Sequence, residues 1–182
     1  MRGRALLCMA VLAAFAVPAA LAAAPLTQEN IATVGVALKV PTGWGAGQLT
    51  SKLKSAHVVA VYRSPKTISS FHANLNVIQT SFPSGYTLRE WLLGTESAKY
   101  LAIGTLKTVS VDGVTGLAYT SSKLESTPDG HPLVTAEYAF EHGGKGYLFT
   151  YTALASTPSA TGVTLFKSSA MTIKFVVTPP SG

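Results

Sequence analysis

The sequence is poor in the groups that most protein chemistry relies on. It has one cysteine, Cys8, in 182 residues, and Lys, Arg, Asp and Glu together make up only 12% of it. A typical soluble domain carries about 25% charged residues. Such sparse charge excludes a disordered tail or a nucleic-acid-coating surface, both of which need dense charge. No Gly-x-Ser-x-Gly occurs, and Pro83-Ser84-Gly85 lacks the first glycine of a nucleophile elbow. The four histidines, His57, His72, His131 and His142, never stand at His-x-x-x-His or His-Glu-x-x-His spacing. Gly43-Trp44-Gly45-Ala46-Gly47 and Gly143-Gly144-Lys145-Gly146 lack the Lys-Ser/Thr ending of a phosphate loop and read as turns. Glu137 and Glu141 are four apart on an expected strand, too distant to share a proton.

A long apolar run is missing too. Leu6 to Val17 carries no charge but falls short of the roughly 20 residues that a membrane span needs. Arg2 and Arg4 precede it, and Pro18 and the small-residue site Ala20-Leu21-Ala22 follow. This three-part pattern is that of a secretory signal peptide, with cleavage expected after Ala22. Leu7 stands before Cys8, and three residues separate Cys8 from Arg4, so Cys8 reads as part of the apolar signal core and not as a lipid anchor. The expected product is periplasmic or secreted, monomeric and without a transmembrane span.

Removing residues 1–22 leaves 160 residues. Twelve of the fourteen basic residues remain against eight acidic ones, a net charge of +4. No cysteine remains, so disulfides, thiolate ligands and a thiol nucleophile are closed to the mature chain. Ser and Thr number 38 of the 160 and supply polar surface in place of charge. A domain of this length buries about 68–70% of its unfolded surface and can stand on its core alone.

Residues 23–33 read as a linker, 34–178 as a single domain and 179–182 as a tail. Val36 to Val40 and His57 to Arg63 are strand-like, with a Pro-Gly bend between them. Phe71, Ala73, Leu75 and Val77 alternate with His72, Asn74 and Asn76, the pattern of a strand with one apolar and one polar face. Thr87-Leu88-Arg89-Glu90 is a capping box, with Tyr86 and Trp91 at staple positions. Leu88, Trp91, Leu92, Thr95, Ala98 and Ala102 continue it as one helical stripe. Asp112-Gly113 joins two strands in a tight hairpin. Val134, Ala136, Tyr138 and Phe140 share one strand face, and a return strand runs from Tyr147. Thr157-Pro158 opens a last helix containing Val163, Phe166 and Ala170, and Ile173 to Val177 is extended. Together these predict an α+β fold: an α/β/α sandwich around a mainly antiparallel sheet of about six to seven strands, with two principal helices.

Three features in this order resemble the PsbP-like family. They are the bend Val40-Pro41-Thr42-Gly43-Trp44, the strand core Asn74-Leu75-Asn76-Val77 leading to the helix capped at Thr87, and a last helix running from Phe166 into Phe175. The resemblance spans residues 34–177. It implies an α/β/α sandwich around an antiparallel sheet, the fold of lumenal photosystem II subunits, of an import factor that binds Ran and of many bacterial exported proteins. Those members share no catalytic motif, so the resemblance carries no activity with it.

Two surfaces stand out as binding candidates. The polar row His72, Asn74 and Asn76 is suited to line a groove. Lys52, Lys54, Arg63 and Lys66 form the densest basic stretch, with no acid among them. No catalytic residue, metal ligand, cofactor or nucleic-acid partner is expected. The function expected is that of an exported non-catalytic accessory protein of the cell envelope, binding an envelope protein or a small ligand. An envelope hydrolase and a carrier of a small apolar ligand are the alternatives.

Overall fold

Alternation of side chains along the strands decides the architecture. The computed structural model describes residues 25–31, 34–68, 71–94, 106–155 and 163–176. The expected signal peptide with Ala22, the helical stripe beyond Gly94, the Thr157-Pro158 cap and the tail lie outside these residues.

In chain order the strands are β1 (Leu26–Ile31), β2 (Val36–Pro41), β3 (Gly45–Ala46), β4 (Val58–Ile68), β5 (Phe71–Ser81), β6 (Lys107–Val111), β7 (Val114–Ser126), β8 (Pro132–His142), β9 (Lys145–Leu154) and β10 (Lys174–Phe175). The helices are α1 (Ser51–Ser55), α2 (Leu88–Leu93) and α3 (Val163–Ala170). Seven strands form one antiparallel sheet in the order β3-β4-β5-β9-β8-β7-β6. The two-residue β3 and the five-residue β6 are its edges. A second antiparallel sheet has the order β1-β2-β10.

The α+β class and the antiparallel sheet are as expected, but the inventory is larger. Among the described residues there are ten strands and three helices. The 23–33 linker contains β1, which pairs with β2 along its whole length from Leu26↔Pro41 to Ile31↔Val36. Its polar centre, Thr27-Gln28-Glu29, hides it from a search for apolar alternation. The other addition, α1, has five residues and buries none of them, so it shows no apolar stripe. Its start signal is Thr50, whose hydroxyl accepts from the Leu53 N–H at 3.3 Å.

The two faces of the large sheet have separate cores. On one face Leu75, Val77, Tyr138, Phe140, Phe149 and Tyr151 pack with Val36, Leu38 and Val40 of β2 and Phe166 and Ala170 of α3. Each such side chain contributes roughly 1.5–3 kcal/mol when fully buried. On the other face Trp91 and Leu92 of α2 cover Tyr119, Ala139 and Leu148. The capping box forms as expected: the Thr87 hydroxyl accepts from the Glu90 N–H, and the Glu90 carboxylate accepts from the Thr87 N–H at 2.8 Å. The staple does not form. Tyr86 is exposed, and the ring that meets Trp91 is Phe82, at 5.7 Å between centroids. Among the described residues α2 thus packs over Leu148 and Ala139 at one end of its face of the sheet.

Candidate functional site

On β5, His72, Asn74 and Asn76 form the expected polar row, on the α2 face of the sheet. They are joined into a ladder. His72 Nδ1 lies 2.7 Å from the Ser64 carbonyl oxygen. That oxygen only accepts, so Nδ1 carries the proton, and in the neutral ring Nε2 keeps a lone pair. Asn74 Nδ2 donates to the His72 carbonyl at 3.2 Å, and Asn76 Nδ2 donates to Asn74 Oδ1 at 3.3 Å. These bonds set the direction of both carboxamides.

Sheet register carries the polarity sideways. Asn74 stands opposite Arg63 on β4 and Thr152 on β9, and Asn76 opposite Val61 and Thr150. Thr150 in turn is opposite Glu137 on β8 and donates to its Oε1 at 3.3 Å. Glu137 is only 4% exposed and is the one buried carboxylate among the described residues. Sequence alternation places Glu137 on a polar face but does not reveal its burial, which depends on what lies across the sheet from it.

Over the outer end of this face a cleft of about 290 Å³ opens, lined by Leu53, Val61, Arg63, Phe71, His72, Asn74 and Asn76. Its wall is α1, brought close by Gly47. The Gly47 N–H donates to the Val61 carbonyl at 2.7 Å, and a Cβ at position 47 would lie 3.0 Å from Val61 Cγ1 and 3.4 Å from Arg63 Nε. A larger residue there would push the segment before α1 off β4. After α1, His57 takes a left-handed conformation, φ +58°, and turns the chain directly into β4.

The structure thus unites two groups that are separate in the sequence. Arg63, from the basic stretch, lines the same cleft as His72, Asn74 and Asn76. Lys52 and Lys54 are exposed on α1 on either side of Leu53. The side chain of Lys66 lies outside the described residues. Leu53, Val61 and Phe71 were not foreseen in the site. Leu53 depends on the unrecognised α1. Phe71 belongs by alternation with Ala73, Leu75 and Val77, yet it lines the cleft. It lies past the irregularity in β4–β5 pairing between Arg63 and Thr67.

The other histidines serve local structure. His131 and His142 stand at opposite ends of β8, as expected. His131 Nε2 lies 3.5 Å from Asp129 Oδ2. The Thr127 hydroxyl donates to Asp129 and holds its carboxyl below the usual range. His142 packs against Phe175 at 4.8 Å between rings. No three of His, Cys, Asp and Glu come together among the described residues, nor is any described helix long and apolar enough to cross a membrane.

The cleft therefore presents an imidazole, two oriented carboxamides and a guanidinium beside an apolar wall. Groups of these kinds offer hydrogen bonds and positive charge to a polar ligand. No protein-family model matches the chain, and no curated protein sequence does. Solved structures do. The cyanobacterial PsbP of Synechocystis superposes with a TM-score of 0.57 at 18% identity, over 84% of this chain and 93% of that one. A crystal structure from Bacteroides thetaiotaomicron gives a TM-score of 0.53 at 8% identity, over 78% of this chain and 45% of that one. The chain thus spans less than half of the Bacteroides protein. At these identities the likeness is one of fold: the chain has a PsbP-like fold.

Proposed function

We propose that this chain is exported, loses residues 1–22, and acts as a non-catalytic accessory protein of the cell envelope that holds an envelope protein or small ligand in the cleft between α1, β4 and β5. The observation that carries this reading is the Asn76–Asn74–His72 ladder, which orients hydrogen-bonding groups toward an open cleft beside Arg63. Oriented polar groups against an apolar wall are how binding pockets fix a ligand. Carboxamides and a guanidinium bind and orient, whereas a hydrolase needs a nucleophile with a base in hydrogen-bond reach. The charged leader before an apolar run and a small-residue cleavage site supports export.

The test is a pull-down from the cell envelope with the full chain, tagged at its C-terminus and expressed with its own leader. The Asn74→Ala/Asn76→Ala variant serves as control. A species enriched by the parent protein and lost with the variant, at unchanged circular dichroism, is the result expected. Enrichment of nothing above background removes the envelope-protein partner and leaves the small ligand to the titration below, and equal enrichment by both proteins overturns the reading.

A further inference from the structure

We propose that the cleft is built for a small monocarboxylate with an apolar body, its carboxylate on Arg63 and its body against Leu53, Val61 and Phe71. The inference rests on the cleft being the working surface, as in the reading above, and names the chemistry of what it takes.

Charge comes first. Among the described residues, the lining contains Arg63 and no carboxylate. Among the described residues Arg63 makes no ion pair, and Lys52 and Lys54 stand exposed nearby on α1. A guanidinium is a planar fork of donors that matches the two oxygens of a carboxylate. Each ladder carboxamide spends one N–H on its neighbour and has a second, so Asn74 and Asn76 offer neutral donors beside the fork.

Shape and polarity narrow the class. Three of the seven lining residues, Leu53, Val61 and Phe71, are hydrocarbon. A fully polar anion would leave that wall in contact with water, and an apolar body covers it. The volume of about 290 Å³ lies at the small end of ligand pockets, which run from about 300 to 1,000 Å³. A phosphate dianion calls for several cations in contact or a nest of backbone N–H groups, and among the described lining residues Arg63 is the one cation, Lys52 and Lys54 standing outside the lining.

The test is a titration of the isotopically labelled protein with sodium benzoate, followed through the Asn74 and Asn76 side-chain amide signals and the Arg63 Nε–H signal. Acetate supplies the charge without the body, benzamide the body without the charge, and inorganic phosphate a different anion. Benzoate is expected to shift these signals saturably, with acetate, benzamide and phosphate at least tenfold weaker. Arg63→Gln is expected to weaken benzoate at least tenfold with circular dichroism unchanged. The comparison among the four probes needs no variant and stands even if Arg63→Gln misfolds. No saturable benzoate shift, equal binding of benzamide, tighter binding of phosphate, or full binding by a folded Arg63→Gln overturns the inference. If the titration fails while the pull-down still loses its partner with the asparagine variant, only the ligand class falls. If both fail, the cleft itself is not the working surface.

Discussion

The Tyr151 hydroxyl donates to Ser169 Oγ at 2.8 Å, with both side chains completely buried. Ser169 passes the bond on by donating to the Lys39 carbonyl oxygen. One serine thereby ties β9 of the large sheet to α3 and to β2 of the small sheet. Ser169→Ala removes the acceptor of a buried phenol, and an unsatisfied buried polar group costs about 1–3 kcal/mol. Tyr151→Phe removes donor and need together and is expected to cost less. Urea unfolding of both single variants and the double variant checks this. The double variant should lose less than the sum, because the two residues share one bond.

Gly146 lies under the Trp91 indole, where a Cβ would collide with the ring. Gly146→Ala is expected to destabilise by about 1–3 kcal/mol, the range for overpacking a tight core. The fault lies against the indole, so a shift of tryptophan fluorescence in the folded state should accompany the loss. A neutral effect on both would mean that α2 slides freely on the sheet.

The capping box makes a specific pH dependence. Backbone and side-chain hydrogen bonds from Thr87 hold the Glu90 carboxyl below its ordinary range. A lowered folded-state pKa contributes stability above the unfolded value, near 4.3, and loses it as pH falls through the folded one. Glu90→Gln is expected to flatten that part of the acid unfolding profile and, from neutral to alkaline pH, to lower stability by a constant amount without changing its slope. Thr87→Ala should cost about 1 kcal/mol at neutral pH, the usual loss of an N-cap.

At the other end of the pH scale, burial raises the phenols of Tyr62, Tyr138 and Tyr151, with the charge of Glu29 a lesser cause at Tyr62. A raised folded-state pKa gives stability that is whole below the unfolded value, near 10, and lost as pH rises toward the folded one. Tyrosinate absorbance from these residues should therefore appear together with loss of the near-ultraviolet dichroism. Ionisation of all seven tyrosines in a protein that keeps its dichroism would contradict the burial.

Export has a direct readout in mass. The exported form of the full chain is expected to have the mass of residues 23–182 and to be inert to thiol reagents, since Cys8 leaves with the leader. A product that retains Cys8, or carries added lipid mass, contradicts the leader reading.

Elements with a regular apolar period were legible in the sequence. The faces of β5 and β8, the Thr87 cap and the Asp112-Gly113 hairpin follow from side-chain alternation and turn chemistry alone. What stayed hidden was either too polar or too short to show a period: β1 with Thr27-Gln28-Glu29, and α1 with nothing buried. The site was half legible for the same reason. His72, Asn74 and Asn76 belong to one strand, and alternation gathers them. Their meeting with Arg63 depends on register between β4 and β5, and the Leu53 wall on a helix that the text does not announce. Phe71 shows the converse: alternation groups it with Leu75 and Val77, yet past the irregular β4–β5 register it lines the cleft.

The sheet edges have a consequence for life in a crowded solution. A chain with so few charges has little electrostatic repulsion to keep its copies apart. An open strand edge is a template for polymerisation through backbone hydrogen bonds. Here one edge, β3, offers two residues, and the other, β6, is five residues long and begins with an exposed lysine, Lys107. The terminal strands of the large sheet are thus short templates, and lengthening β3 by a few extended residues would lengthen the one it presents.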